Sequence, residues 1–145
     1  MSACNCSEAQ KPDELLVSCD GLSSVPDVKY QLEGIPANEI KELAILRTKN
    51  LEAFRPGFFD GMHKLTRLSL AANPKSNIRL PLGIFDQVGD TLETLDLSTS
   101  SLTEMDLNPD VFAPLTRLRV WLLNFDCLFN LIRKYPQLYT FYVGT

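Results

Sequence analysis

The sequence predicts an α/β fold in which one unit recurs along a single domain, each unit being a short apolar strand, a turn and a return segment. Three observations carry this. An apolar triplet at first, fourth and sixth places occurs five times, as "IKELAI" from Ile40, "LTRLSL" from Leu65, "LETLDL" from Leu92, "LRVWLL" from Leu118 and "LYTFYV" from Leu138. The starts are 25, 27, 26 and 20 residues apart, and all fifteen triplet positions are apolar against a background of 45%; such an interval marks a repeat architecture. The return segments "FRPGFFDGMHKL", "LPLGIFDQVGDTL" and "NPDVFAPLTRL" each carry one aromatic in common, Phe59, Phe85 and Phe112, followed three places later by Met62, Val88 or Leu115. Finally, three of the four cysteines (Cys4, Cys6 and Cys19) lie ahead of the first unit, and Cys127 stands far from them.

Length and composition narrow the classes. A chain of 145 residues with 22% charged residues is long enough for one domain with a real core. Its formal charge of -4 and its scattered basic residues disfavour a nucleic acid partner. No apolar run approaches the ~20 residues that span a bilayer, so no direct membrane insertion is expected. "MSACNCSEA" lacks the apolar run of a signal peptide, so an exported parent is expected to have shed its leader. One histidine, His63, and no second cysteine pair give no metal-ligand set, and no cofactor motif is present.

The amino-terminal segment, residues 1–39, reads as a cap. It contains C-x-C at Cys4 and Cys6, then Cys19 closing the short apolar strand "LLVSC", then "GLSSVP" and "GIPANEIKEL" leading into the first unit. Residues 40–145 hold the repeats. Residues 65–70 with Asn73 match the first nine places of L-x-x-L-x-L-x-x-N-x-L, and residues 92–102 match all of it with Ser100 in the Asn place. A later G-x-F-x-x-L pattern is approached at residues 57–62 and 83–88, with Met62 and Val88 in the last place.

On these residues the chain resembles extracellular leucine-rich repeat proteins with a cysteine-containing amino-terminal cap, such as the modules of adhesion and innate immune receptors. The resemblance covers roughly residues 15–145 and implies a leucine-rich repeat solenoid. In that fold a curved right-handed horseshoe arc carries a parallel sheet on its concave side and loops or short helices on its convex side, because no unit can bury its own leucines alone. The family's ninth-position Asn bonds the backbone of neighbouring turns. Asn73 can do this, while Thr48, Ser100 and Asp126 hold the place elsewhere with a smaller set of donors and acceptors. Extra residues at "TKNL", "NPKSNIRL", "VGDTL" and "MDLNPDVF" are expected as surface bulges. After the fourth strand, Leu128, Leu131, Ile132 and Tyr135 fall at helical spacing, a short helix ending near Pro136.

The family cap has four cysteines in two bridges, and this sequence has three. The resemblance implies a Cys4–Cys19 bridge with Cys6 free, Cys6–Cys19 being the alternative, and a cap that is trimmed or decayed. Asn5-Cys6-Ser7 forms an N-glycosylation acceptor, with Asn5 as the modified residue unless a bridge at Cys6 hinders transfer. Cys127 is expected as a buried thiol and His63 as a surface residue.

Strand alternation sends the third, fifth and seventh residues of each unit to the inner face. The first three rows there are small or polar and include Arg67 and Asp96. The later rows bring Val120, Leu122, Asn124 and Tyr142, with Phe125 and Tyr139 beside them. Such an apolar and aromatic patch is a candidate interface, or the seat of further carboxyl-terminal structure. The expectation is a non-catalytic, extracellular recognition module, secreted or part of a membrane-tethered receptor, that binds a protein or glycoprotein ligand. The alternative is a structural or accessory subunit, including a homodimer, that associates through its carboxyl-terminal repeat edge.

Overall fold

A computed structural model describes residues 3–8, 11–72, 78–97, 108–123 and 133. It is a mixed α/β fold with one six-stranded, mostly parallel sheet and few helices. The strands run in chain order: β1 (Ala3–Glu8), β2 (Leu15–Asp20), β3 (Ile40–Thr48), β4 (Arg67–Ala72), β5 (Thr94–Leu97) and β6 (Val120–Leu123). β1 pairs antiparallel with β2, and every later neighbour is parallel.

The register places repeat upon repeat. Val17, Leu43, Leu68, Leu95 and Trp121 succeed one another across five strands, and Cys19, Ile45 and Leu70 form the next row. All are buried, as are Ile40, Leu65, Leu92 and Leu118 at the starts of the units. Between strands the backbone hands over in a constant way. Thr66 N–H donates to Lys41 O, Glu93 N–H to Thr66 O and Arg119 N–H to Glu93 O, each at 2.8 Å.

Behind the sheet the return segments stack their aromatics. Phe59 lies 6.1 Å from Phe85, Phe85 5.9 Å from Phe112, and Phe112 4.7 Å from Trp121. Each Phe is set by a tight turn just before it. Phe58 N–H donates to Arg55 O, Ile84 N–H to Pro81 O and Val111 N–H to Asn108 O. The first two turns hold Gly57 and Gly83 at positive φ, where a side chain would be strained. The third has no glycine. Asn108 caps the one-turn helix α2 (Pro109–Phe112) instead, its side chain accepting from Asp110 N–H at 3.0 Å.

Two features depart from the sequence reading. "VPDVKYQL" forms helix α1 (Val25–Leu32), with a proline in its first turn and Val25, Val28 and Leu32 buried on one side. The extra residue of the first unit is Arg47, which sits at φ 50 where the β3–β4 register shifts between Leu46 and Thr48. This bulge sets Thr48 opposite Ala72. It also turns Leu51 inward, where Leu51 bridges Ile78 and both are fully buried. The "TKNL" insertion thus ends in the core and is only partly a surface bulge. Asn73, Ser100, Asp126, Cys127 and the segment expected as a helix before Pro136 lie outside the described residues, apart from Arg133.

Candidate functional site

Because the leucine rows point one way, the alternate residues share the opposite, open face of the sheet. Two rows run in register there across four strands. Glu42, Arg67, Thr94 and Val120 form one, and Ala44, Ser69, Asp96 and Leu122 form the next. The face changes character along its length. On β3 and β4, Arg67 Nε lies 3.3 Å from Glu42 Oε1 across neighbouring strands, a solvent-screened pair. On β6, Val120 and Leu122 stand two residues apart at 42% and 43% exposure, apolar side chains facing solvent together.

At the β1 end the open face is hollowed into a groove of about 300 Å³, edged by Asn5, Ser7, Ser18, Glu42, Arg67 and Ser69. β1 closes this end because Cys4 lies directly opposite Cys19 and is bonded to it. Cys6, two residues on, is exposed and free. Asn5 is exposed too, so the acceptor has no bridge beside it at Cys6.

At the end of β2, Asp20 meets Arg47 in a two-pronged pair. Arg47 Nε donates to Asp20 Oδ1 at 2.7 Å, and Nη2 donates to Oδ2. Those hydrogen bonds hold the Asp20 carboxyl below its ordinary pKa and raise that of Arg47. The pair fastens the bulge to the neighbouring strand and defines one rim of the sheet.

Of the residues singled out in the sequence, the structure brings Arg67, Asp96, Val120 and Leu122 onto one face. Asn124, Phe125, Tyr139 and Tyr142 lie outside the described residues. So does the final strand on which a carboxyl-terminal edge contact would rest. His63 is exposed on a return segment. Among the described residues no helix is long and apolar enough to cross a membrane. The disulfide fits an oxidising compartment.

A second concavity, sharing no residue with the first, was missed by the sequence reading. It lies between α1 and residues 53–60 and depends on the helix itself. Its signal was legible: Ser24 before Val25-Pro26, then apolar residues at Val25, Val28 and Leu32, is a helix start followed by one apolar stripe.

No family model, curated protein or solved structure matches this chain.

Proposed function

We propose that this chain is a leucine-rich repeat solenoid of the extracellular kind, and that the open face of its sheet is the concave, non-catalytic recognition surface for a protein or glycoprotein ligand. The single observation that carries the reading is the pair Val120 and Leu122. Two aliphatic side chains, each about two-fifths exposed, sit two residues apart on a parallel strand whose other face buries Trp121. Arg67, Ser69, Thr94 and Asp96 on the neighbouring strands border them on one side. Exposed apolar side chains bordered by polar ones suit a protein-binding patch. Side chains fixed on paired strands lose little freedom on docking, which favours affinity. The buried rows spaced like the repeats, the Cys4–Cys19 bridge at the amino-terminal end and the aromatic stack behind the sheet support the solenoid assignment. They also support placing the protein outside the cell, secreted or as part of a receptor ectodomain.

The test is a screen of the biotinylated domain against an array of extracellular protein ectodomains, repeated with Val120→Ser/Leu122→Ser. The reading expects a ligand whose binding falls at least tenfold in the double variant, about 1.4 kcal/mol, with the melting temperature little changed. A ligand bound equally well by both proteins removes the β6 patch from the interface.

A further inference from the structure

The concavity between α1 and residues 53–60 is open to solvent on one side and measures about 560 Å³, within the ~300–1,000 Å³ range of small-molecule sites. Its walls are apolar at Val25, Pro26, Pro56 and Phe58. Lys29 and Arg55 supply positive charge at its edge. Lys29 is held in place twice. Its Nζ donates to Phe58 O at 2.9 Å and lies 5.2 Å from the centre of the Phe58 ring. An ammonium has three donors, so this leaves two available. The Arg55 guanidinium is exposed and has no ion pair among the described residues. Asp60 is the one acidic residue on the lining, two cations against one carboxylate. The first turn of α1 forms part of the wall, and that end of a helix carries partial positive charge.

From this charge complementarity we infer that the cavity between α1 and the Arg55–Phe58 turn is a binding site for a small organic carboxylate with an apolar body. The body lies along Phe58 and the two prolines, and the carboxylate accepts from Arg55 and Lys29. The Lys29–Phe58 contact ties α1 to the return segment of the first unit, so the site is formed before ligand arrives. The inference is independent of the sheet-face reading, because the two surfaces share no residue.

The probe is 4-phenylbutyrate, with its neutral amide as the matched control, titrated into isotope-labelled protein and followed through backbone amide resonances. The site expects saturable shifts at Lys29, Ala53 and Phe58, with a Kd on the order of 1 mM for a ligand of this size. The amide loses its ionic contact to both Arg55 and Lys29 and should bind roughly tenfold more weakly. Arg55→Gln, a change at an exposed side chain, removes one of the two contacts and should weaken the acid by a smaller factor, roughly threefold, and leave the amide unaffected. Absence of saturable shifts overturns the proposal. Equal binding of acid and amide also overturns it, since the cavity would then be a crevice without a charge preference. So do saturable shifts confined to Ser18, Arg67 and Ser69, which belong to the sheet-face groove.

Discussion

Along the core face of the sheet, Leu43, Leu68, Leu95 and Trp121 follow one another in register, none more than 3% exposed. Along the open face, one residue further on, the same four strands present Ala44, Ser69, Asp96 and Leu122. The two faces share a backbone and a hydrogen-bond ladder, yet one admits only large apolar side chains and the other has no common chemistry. Stacking explains the difference. A residue on the core face must fill space left by the units on either side, so its size is set by its neighbours. A residue on the open face meets solvent or a partner, and its neighbours set little.

The largest effects are therefore expected where the core face is continuous from unit to unit. Phe85 is fully buried between Phe59 and Phe112, and Phe85→Ala should cost about 3–5 kcal/mol in chemical denaturation. A loss near 1 kcal/mol would mean that the aromatic stack can close over the gap and that the units are less tightly coupled than their register suggests.

Gly89 sharpens the same point from the side of close approach. Its φ of -60 suits any residue. A Cβ there, however, would run into the carbonyl oxygen of Pro114 and lie 3.0 Å from that carbonyl's carbon. Neighbouring return segments touch through backbone at this point, and Thr116 Oγ1 reaches Gly89 O as well, at 3.5 Å. Gly89→Ala should cost about 1–3 kcal/mol by overpacking. The same substitution at Gly34, which has open space around it, is the control and should have little effect.

How much of this was legible beforehand follows the same division. The triplets named the buried rows correctly from Ile40 to Trp121, because burial at repeat spacing leaves a periodic trace. Phe59, Phe85 and Phe112 were legible for the same reason, and all three are buried in one stack. Arg47 was not. A bulge is a single residue entering the left-handed region, and Arg has no propensity that announces it. Helix α1 was readable from Ser24, Pro26 and the valines, but the cysteines around it drew the reading toward a disulfide cap. On the open face, Arg67, Asp96, Val120 and Leu122 were placed by alternation alone. Which of them matters to a ligand leaves no periodic signal to read.

Thr48 tests whether the bulge leaves a polar group stranded. Its side chain is fully buried, and Oγ1 has no hydrogen-bond partner among the described residues. Replacing such a hydroxyl by a methyl of the same shape relieves a desolvation cost. Thr48→Val should be neutral or stabilise by up to about 1 kcal/mol. A clear loss would show that the hydroxyl is bonded and that the bulge is part of a polar network. On the open face the contrast is a null effect on stability. Val120→Ser and Leu122→Ser should each stay within about 0.5 kcal/mol of the parent, as substitutions at exposed positions do.

A small, pH-dependent effect is expected at the rim where the two faces meet, at the Asp20–Arg47 pair. Arg47 donates to both carboxylate oxygens, so the folded Asp20 pKa sits below its reference value of 3.8. The unfolded chain then takes up the proton first as pH falls. The pair's contribution is complete above about pH 4 and disappears as pH drops through the folded pKa, so stability rises with pH across that window. Asp20→Asn removes this titration. Melting curves of the parent and the variant should differ most near neutrality and converge as pH falls through the lowered pKa of Asp20, the convergence being the informative part. Both side chains reach solvent, so added salt should narrow the gap at neutral pH. Curves that stay parallel down to low pH would mean that Arg47 holds its left-handed backbone without help from Asp20, and that the bulge is fixed from the core side by Leu51 and Ile78.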